Sequence, residues 1–186
     1  METPEDKHLA SDVVRGVSRM FLRNDLVALP EVSLGNGRRA DLMALCPKGF
    51  VTIVEIKVSR ADLLGDGKWT DYLAYCDRYF WAVPQGFDTA LFDREMLLPE
   101  RSGLIVADRY DAAIVREAPL FPLNAARRKA ETLRWRVARR GVCLKSAGLP
   151  MLAAFDYFGP EIATGFTGFA ASISLSTLTA RLSRIA

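Results

Sequence analysis

Apolar residues recur along this chain with two periods, and the switches between them divide it into elements. Leu9, Val13, Val17 and Met20 return every three or four residues, the spacing that lines one face of a helix, so an amphipathic helix is predicted to open the chain. Pro30 and the extended pattern around it end that helix before Glu31. Leu29 to Leu34, Arg39 to Cys46 and Phe50 to Ser59 then alternate, with GNG and PKG turn signals between them, which predicts three antiparallel strands. Beyond them Asp71 to Arg78 reads as a helix and Tyr79 to Val83 as a short strand stopped by Pro84. Gly103 to Ala107 and Ala112 to Arg116 read as a hairpin around DRYD. Strands and helices interleave without repeats, which predicts an α/β fold.

Charges interrupt this pattern where a core is expected. If Pro47-Lys48-Gly49 is a three-residue hairpin loop with Gly49 in the left-handed region, Cys46 lies opposite Phe50. Counting outward then pairs Asp41 with Glu55 on one face, with Cβ atoms about 4.5–5.5 Å apart. Lys57 projects from the same face, because side chains alternate along a strand. Burying unpaired carboxylates is costly, so a pair this close must be exposed, protonated, ion-paired or wrapped around a cation. An ion pair at a sheet edge is the plain reading; a reactive site is the sharper one, and the apolar setting VTIVEIKVS favours it.

Length and composition limit the alternatives. The 186 residues, half of them apolar, form one sizeable core; residues 1–120 are assigned to it and residues 121–186 to a C-terminal extension packed on it. Cys46, Cys76 and Cys143 lack zinc-site spacing and the single histidine, His8, lies near the N-terminus, so a structural zinc is not expected. METPEDKH has no basic run leading into an apolar one, and a cytoplasmic location is expected. Ile162 to Ala180 carries no charge but holds seven Ser or Thr residues and two Gly, too polar for a membrane span and suited to a packed or interfacial helix.

The net charge of +3 is unevenly distributed. Arg127 to Arg140 (RRKAETLRWRVARR) sets seven basic residues against one acid, Glu131, leaving the rest net acidic. Ala126, Ala130, Leu133 and Val137 recur at helical spacing and are expected to dock this helix. Its outward arginines then form either a solvated face or a phosphate-contacting patch.

Asp41, followed fourteen residues later by Glu55-Ile56-Lys57 and preceded by an amphipathic helix, resembles the PD-(D/E)xK nuclease superfamily, the restriction-endonuclease-like fold. GRRADLMAL, VEIKVSRADLLGDGKWTDYLAYCDRYFWAVP and GLIVADRYDAAIVREAP closely resemble the MmcB family of bacterial DNA-repair proteins, over roughly Leu9 to Arg140. The proline of the superfamily name is Ala40 here. The resemblance implies a mixed sheet flanked by helices and a DNA phosphodiester hydrolase, or a repair-complex subunit that kept the fold and lost the chemistry. It further implies that Asp41, Glu55 and the carbonyl of Ile56 hold Mg²⁺ or Mn²⁺, while Lys57 positions the attacking water. Hard oxygen ligands agree with the absence of His and Cys candidates.

A third carboxylate is sought among Glu31 and Asp12. A three-residue Gly35-Asn36-Gly37 loop brings Glu31 opposite Asp41, whereas a two-residue turn sends it away; Asp12 lies on the polar side of the first helix. DNA is the expected partner, met by Lys68, Arg127, Arg128, Arg134, Arg136, Arg139 and Arg140. Trp69, Tyr72 and Cys76 are expected in the core. LLGDGKW lacks the Gly and the Ser or Thr of a phosphate-binding loop, and Asp62 and Asp66 lack the rest of a calcium loop. The C-terminal apolar segment offers an oligomer interface, so a homodimer and contacts with other repair proteins are further expectations.

Overall fold

A computed structural model describes residues 4–65 and 67–146, and Ile162 to Ala180 lies outside that range. Residues 1–140 form one compact unit and residues 141–186 a second. Helix α1 spans Pro4–Arg23 and six strands follow: β1 Val27–Ser33, β2 Arg39–Leu45, β3 Val51–Ile56, β4 Arg78–Pro84, β5 Ser102–Ala107 and β6 Ala112–Arg116. They form one sheet in sequence order, antiparallel except for the parallel β3–β4 and β4–β5 pairs. This is an α/β mixed sheet flanked by helices, consistent with the restriction-endonuclease-like fold.

Alternation along the central strands sorts their side chains into two cores. Leu42, Val54, Ile56, Phe80 and Ile105 pack with Val13, Val17, Met20 and Phe21 of α1. The helix approaches so closely that a Cβ on Gly16 would stand 2.0 Å from the Asp108 carbonyl oxygen, a contact only glycine avoids. On the other face Met43, Ile53, Tyr79 and Trp81 pack with Leu63, Trp69, Tyr72, Tyr75 and Trp135.

Two local expectations change. The predicted helix Asp71 to Arg78 is instead a 3-10 helix, Trp69–Tyr75, and Arg78 already begins β4. Trp69, Tyr72 and Tyr75 recur every third residue, and three residues per turn brings all three rings to the core side. The third strand ends at Ile56 rather than Ser59 because Ser59 caps the short helix α2, Arg60–Gly65: its hydroxyl accepts from the Asp62 N–H at 3.2 Å.

The basic helix also docks differently. In α3, Ala125–Ser146, the sheet-facing residues are Glu131, fully buried, and Trp135, whose indole N–H donates to the Met43 carbonyl at 3.1 Å. The expected apolar stripe of Ala126, Ala130, Leu133 and Val137 is exposed, with Leu133 at 49% and Val137 at 57%. An indole buries more apolar surface than these smaller side chains. Arg134 and Arg127, 3.1 and 3.6 Å from Glu131, offset its charge.

Candidate functional site

The β2–β3 hairpin sets the register of the site. Gly49 has φ +78°, its N–H donates to Cys46, and the Cys46 N–H donates to Phe50, closing a three-residue loop. Leu45 therefore faces Val51 and Leu42 faces Val54. Continuing this register places Asp41 opposite Glu55, and the Asp41 Oδ2 accepts from the Ile56 N–H at 2.8 Å.

The other hairpin resolves the choice over Glu31. Leu34 N–H donates to Arg38 across a three-residue loop, and the pairs Pro30–Leu42 and Val32–Ala40 bracket Glu31 and Asp41. Glu31 thus holds the position opposite Asp41, at φ +58°, a region that is strained for a residue with a side chain. Its carboxylate is half-exposed and turned to Arg39 at 2.6 Å. Asp12 is paired with His8 on α1, 3.5 Å apart.

Glu55 and Lys57 are both buried, 7% and 5% exposed. The Lys57 ammonium lies 3.5 Å from Glu55 Oε1 and 3.6 Å from Asp62 Oδ1, and 5.9 Å from the Trp81 ring centroid. Burial raises the pKa of Asp41 above the ordinary carboxylate range; the Ile56 N–H and Lys57 oppose that rise, and Glu31 and Asp62 add to it. Four carboxylates thus act on this neighbourhood against two cations, buried Lys57 and, paired with Glu31, exposed Arg39. Excess negative charge of this kind, on hard oxygens without His or Cys, suits a divalent cation better than a lone ammonium. Among the described residues no group of three or more His, Cys, Asp or Glu side chains is placed to hold a metal. Asp41, Glu55 and the Ile56 carbonyl are the oxygen donors that could hold Mg²⁺, an ion that retains waters and so needs few protein ligands.

Asp62 is the residue that strand counting missed. The signal for it is Ser59-Arg60-Ala61-Asp62, a capping pattern that starts a helix directly after the charged strand and returns an acid toward Lys57.

The basic candidates do not converge. Arg128 is bound to Asp77 at 2.6 Å and stacked over Phe50. Arg127 and Arg134 hold Glu131, with Arg127 also over the Tyr75 ring, and Arg139 lies over Trp135. Lys68, Arg136 and Arg140 are exposed. Asp77 is buried and structural: it accepts from the Val51 and Leu123 N–H groups and from Arg128.

No described helix is long and apolar enough to cross a membrane. A comparison with curated proteins finds no match. A solved structure, a protein of unknown function from Silicibacter pomeroyi, is 38% identical and superposes with a TM-score of 0.65, covering 80% of this chain and 94% of that one. The model of the family described as DNA repair protein MmcB-like matches residues 3–146, a span holding the sheet, the paired acids, Lys57 and the basic helix, and the chain therefore belongs to the MmcB-like family of DNA-repair proteins.

Proposed function

We propose that this DNA-repair protein is a divalent-metal-dependent deoxyribonuclease of the PD-(D/E)xK type. One observation carries the reading: Asp41, Glu55 and Lys57 meet on one sheet face, and Glu55 and Lys57 are buried there. Mg²⁺ or Mn²⁺ held by Asp41, Glu55 and the Ile56 carbonyl would supply Lewis acidity at the scissile phosphate and acidify a bound water. Lys57, with three N–H donors on a buried stem, orients the attacking water and offsets phosphate charge. The Ile56 N–H fixes one oxygen of Asp41, and Asp62 holds Lys57 from the α2 side. Exposed Lys68, which leads into the 3-10 helix, provides a phosphate contact on duplex or single strands.

The test is an assay on single-stranded, duplex and branched DNA with Mg²⁺ or Mn²⁺ against EDTA. Cleavage of at least one substrate, abolished by EDTA, is the expected result. A second reading, a DNA-binding repair subunit without chemistry, has one observation in its favour: Lys57 is held between two carboxylates while Glu31 is turned to Arg39. Binding without cleavage of any substrate would support it.

A further inference from the structure

The exposed side of α3 carries two parallel rails. Ala126, Ala130, Leu133 and Val137 form an apolar one at spacings of four, three and four residues, the anchor pattern of helix-in-groove recognition. Lys129, Arg136 and Arg140, at spacings of seven and four, form a basic one beside it. Among the described residues none of these three makes an ion pair with a carboxylate, in contrast to Arg127, Arg128 and Arg134 on the sheet side. Between this face and the Gly49 turn lies an open groove of about 420 Å³, lined by Lys129, Thr132, Leu133 and Arg136.

We propose that this face and groove form a docking surface for an acidic amphipathic helix of a partner protein. Such a helix covers Leu133 and Val137 with its own apolar stripe and meets Lys129, Arg136 and Arg140 with carboxylates. Charge excludes a second copy of α3 as the occupant, since two such faces would bring like charges together. A DNA backbone answers the basic rail but leaves Leu133 and Val137 against water. A membrane surface calls for Trp or Phe on the apolar side, and the only aromatic residue of α3, Trp135, is turned inward onto Met43. The surface is separate from the Asp41–Glu55–Lys57 site, so the proposal holds whether or not that site cleaves DNA.

The experiment titrates the full chain with a synthetic helical peptide bearing leucines at helical spacing flanked by glutamates. The same peptide with lysines for glutamates, duplex DNA and phosphatidylglycerol vesicles are run in parallel, with methyl resonances of Leu133 and Val137 as the readout. The acidic peptide is expected to bind and shift both resonances, and the lysine peptide to do neither. Leu133→Ser with Val137→Ser, which lacks these reporter methyls and is followed by fluorescence anisotropy of the labelled peptide, should weaken binding on the order of tenfold or more. Lys129→Glu with Arg136→Glu should reverse the preference between the two peptides. Equal binding by wild type and variants overturns the proposal, as does a shift of both resonances by DNA, by vesicles or by self-association instead of by the acidic peptide.

Discussion

The two ends of strand β3 each hold buried charge, and they differ in how it is balanced. At the start of the strand one acid, Asp77, faces one cation, Arg128, at 2.6 Å, and its remaining lone pairs receive the Val51 and Leu123 N–H groups at 2.7 and 2.8 Å. At the other end Lys57 sits at 3.5 and 3.6 Å from two acids, with Asp41 and Glu31 adding to the negative charge. The first arrangement is closed, and its hydrogen bonds join β3, the segment before α3 and α3 itself. The second gathers more carboxylates than cations, an excess of negative charge that suits a bound cation.

Removing one partner of the closed cluster should have the largest effect on stability. Asp77→Ala leaves Arg128 and two backbone N–H groups without their acceptor, and denaturant unfolding should show a loss of about 3–5 kcal/mol. A loss below about 1 kcal/mol would mean that the two clusters do not differ in the way described. Trp135→Phe removes the indole donor to Met43 while keeping an aromatic ring in the core, and should cost about 1 kcal/mol.

The acid-rich end should respond in the opposite direction. Asp41→Asn keeps an acceptor for the Ile56 N–H and removes a charge that burial disfavours, so at neutral pH it should stabilise the fold, by at most about 1 kcal/mol. The sign with pH follows from linkage. A carboxyl whose folded pKa is raised holds its proton more tightly folded than unfolded, so its destabilising contribution is full above the raised value and absent below the ordinary one. The advantage of Asp41→Asn should therefore shrink as pH falls through that window, as thermal melts at several pH values would show; an advantage independent of pH would contradict the assignment to burial. The smallest effect belongs to Leu133→Ser with Val137→Ser, which should change stability by no more than about 0.5 kcal/mol per site because both positions face solvent.

These contrasts also mark what was legible in the sequence. The Asp41–Glu55 register followed from one turn, because a hairpin loop of known length fixes every pair beyond it and strand alternation fixes the face. Glu31 was open because GNG accommodates either loop length, and its left-handed backbone is set by the surrounding sheet rather than by local sequence. The face of α3 was misread because its alanines and leucine follow helical spacing as well as its true docking face does. The decision falls to tertiary contacts: Trp135 reaches the Met43 carbonyl, and Glu131 tolerates burial only because Arg127 and Arg134 lie within reach. Asp77 carried no pattern at all, since its partners are 26, 46 and 51 residues away.

The central claim is that the acid-rich end of β3 is a metal-dependent catalytic site, and the most direct measurement compares cleavage and Mn²⁺ binding in wild type and Glu55→Gln. Substitution of a metal-holding carboxylate should lower the cleavage rate more than about 100-fold, beyond the loss typical for residues that merely support a ligand. Mn²⁺ binding, followed by paramagnetic broadening of resonances near Asp41, should weaken in parallel while the far-UV spectrum is unchanged. Cleavage at the wild-type rate by Glu55→Gln, or Mn²⁺ binding that does not depend on Glu55, would contradict the account.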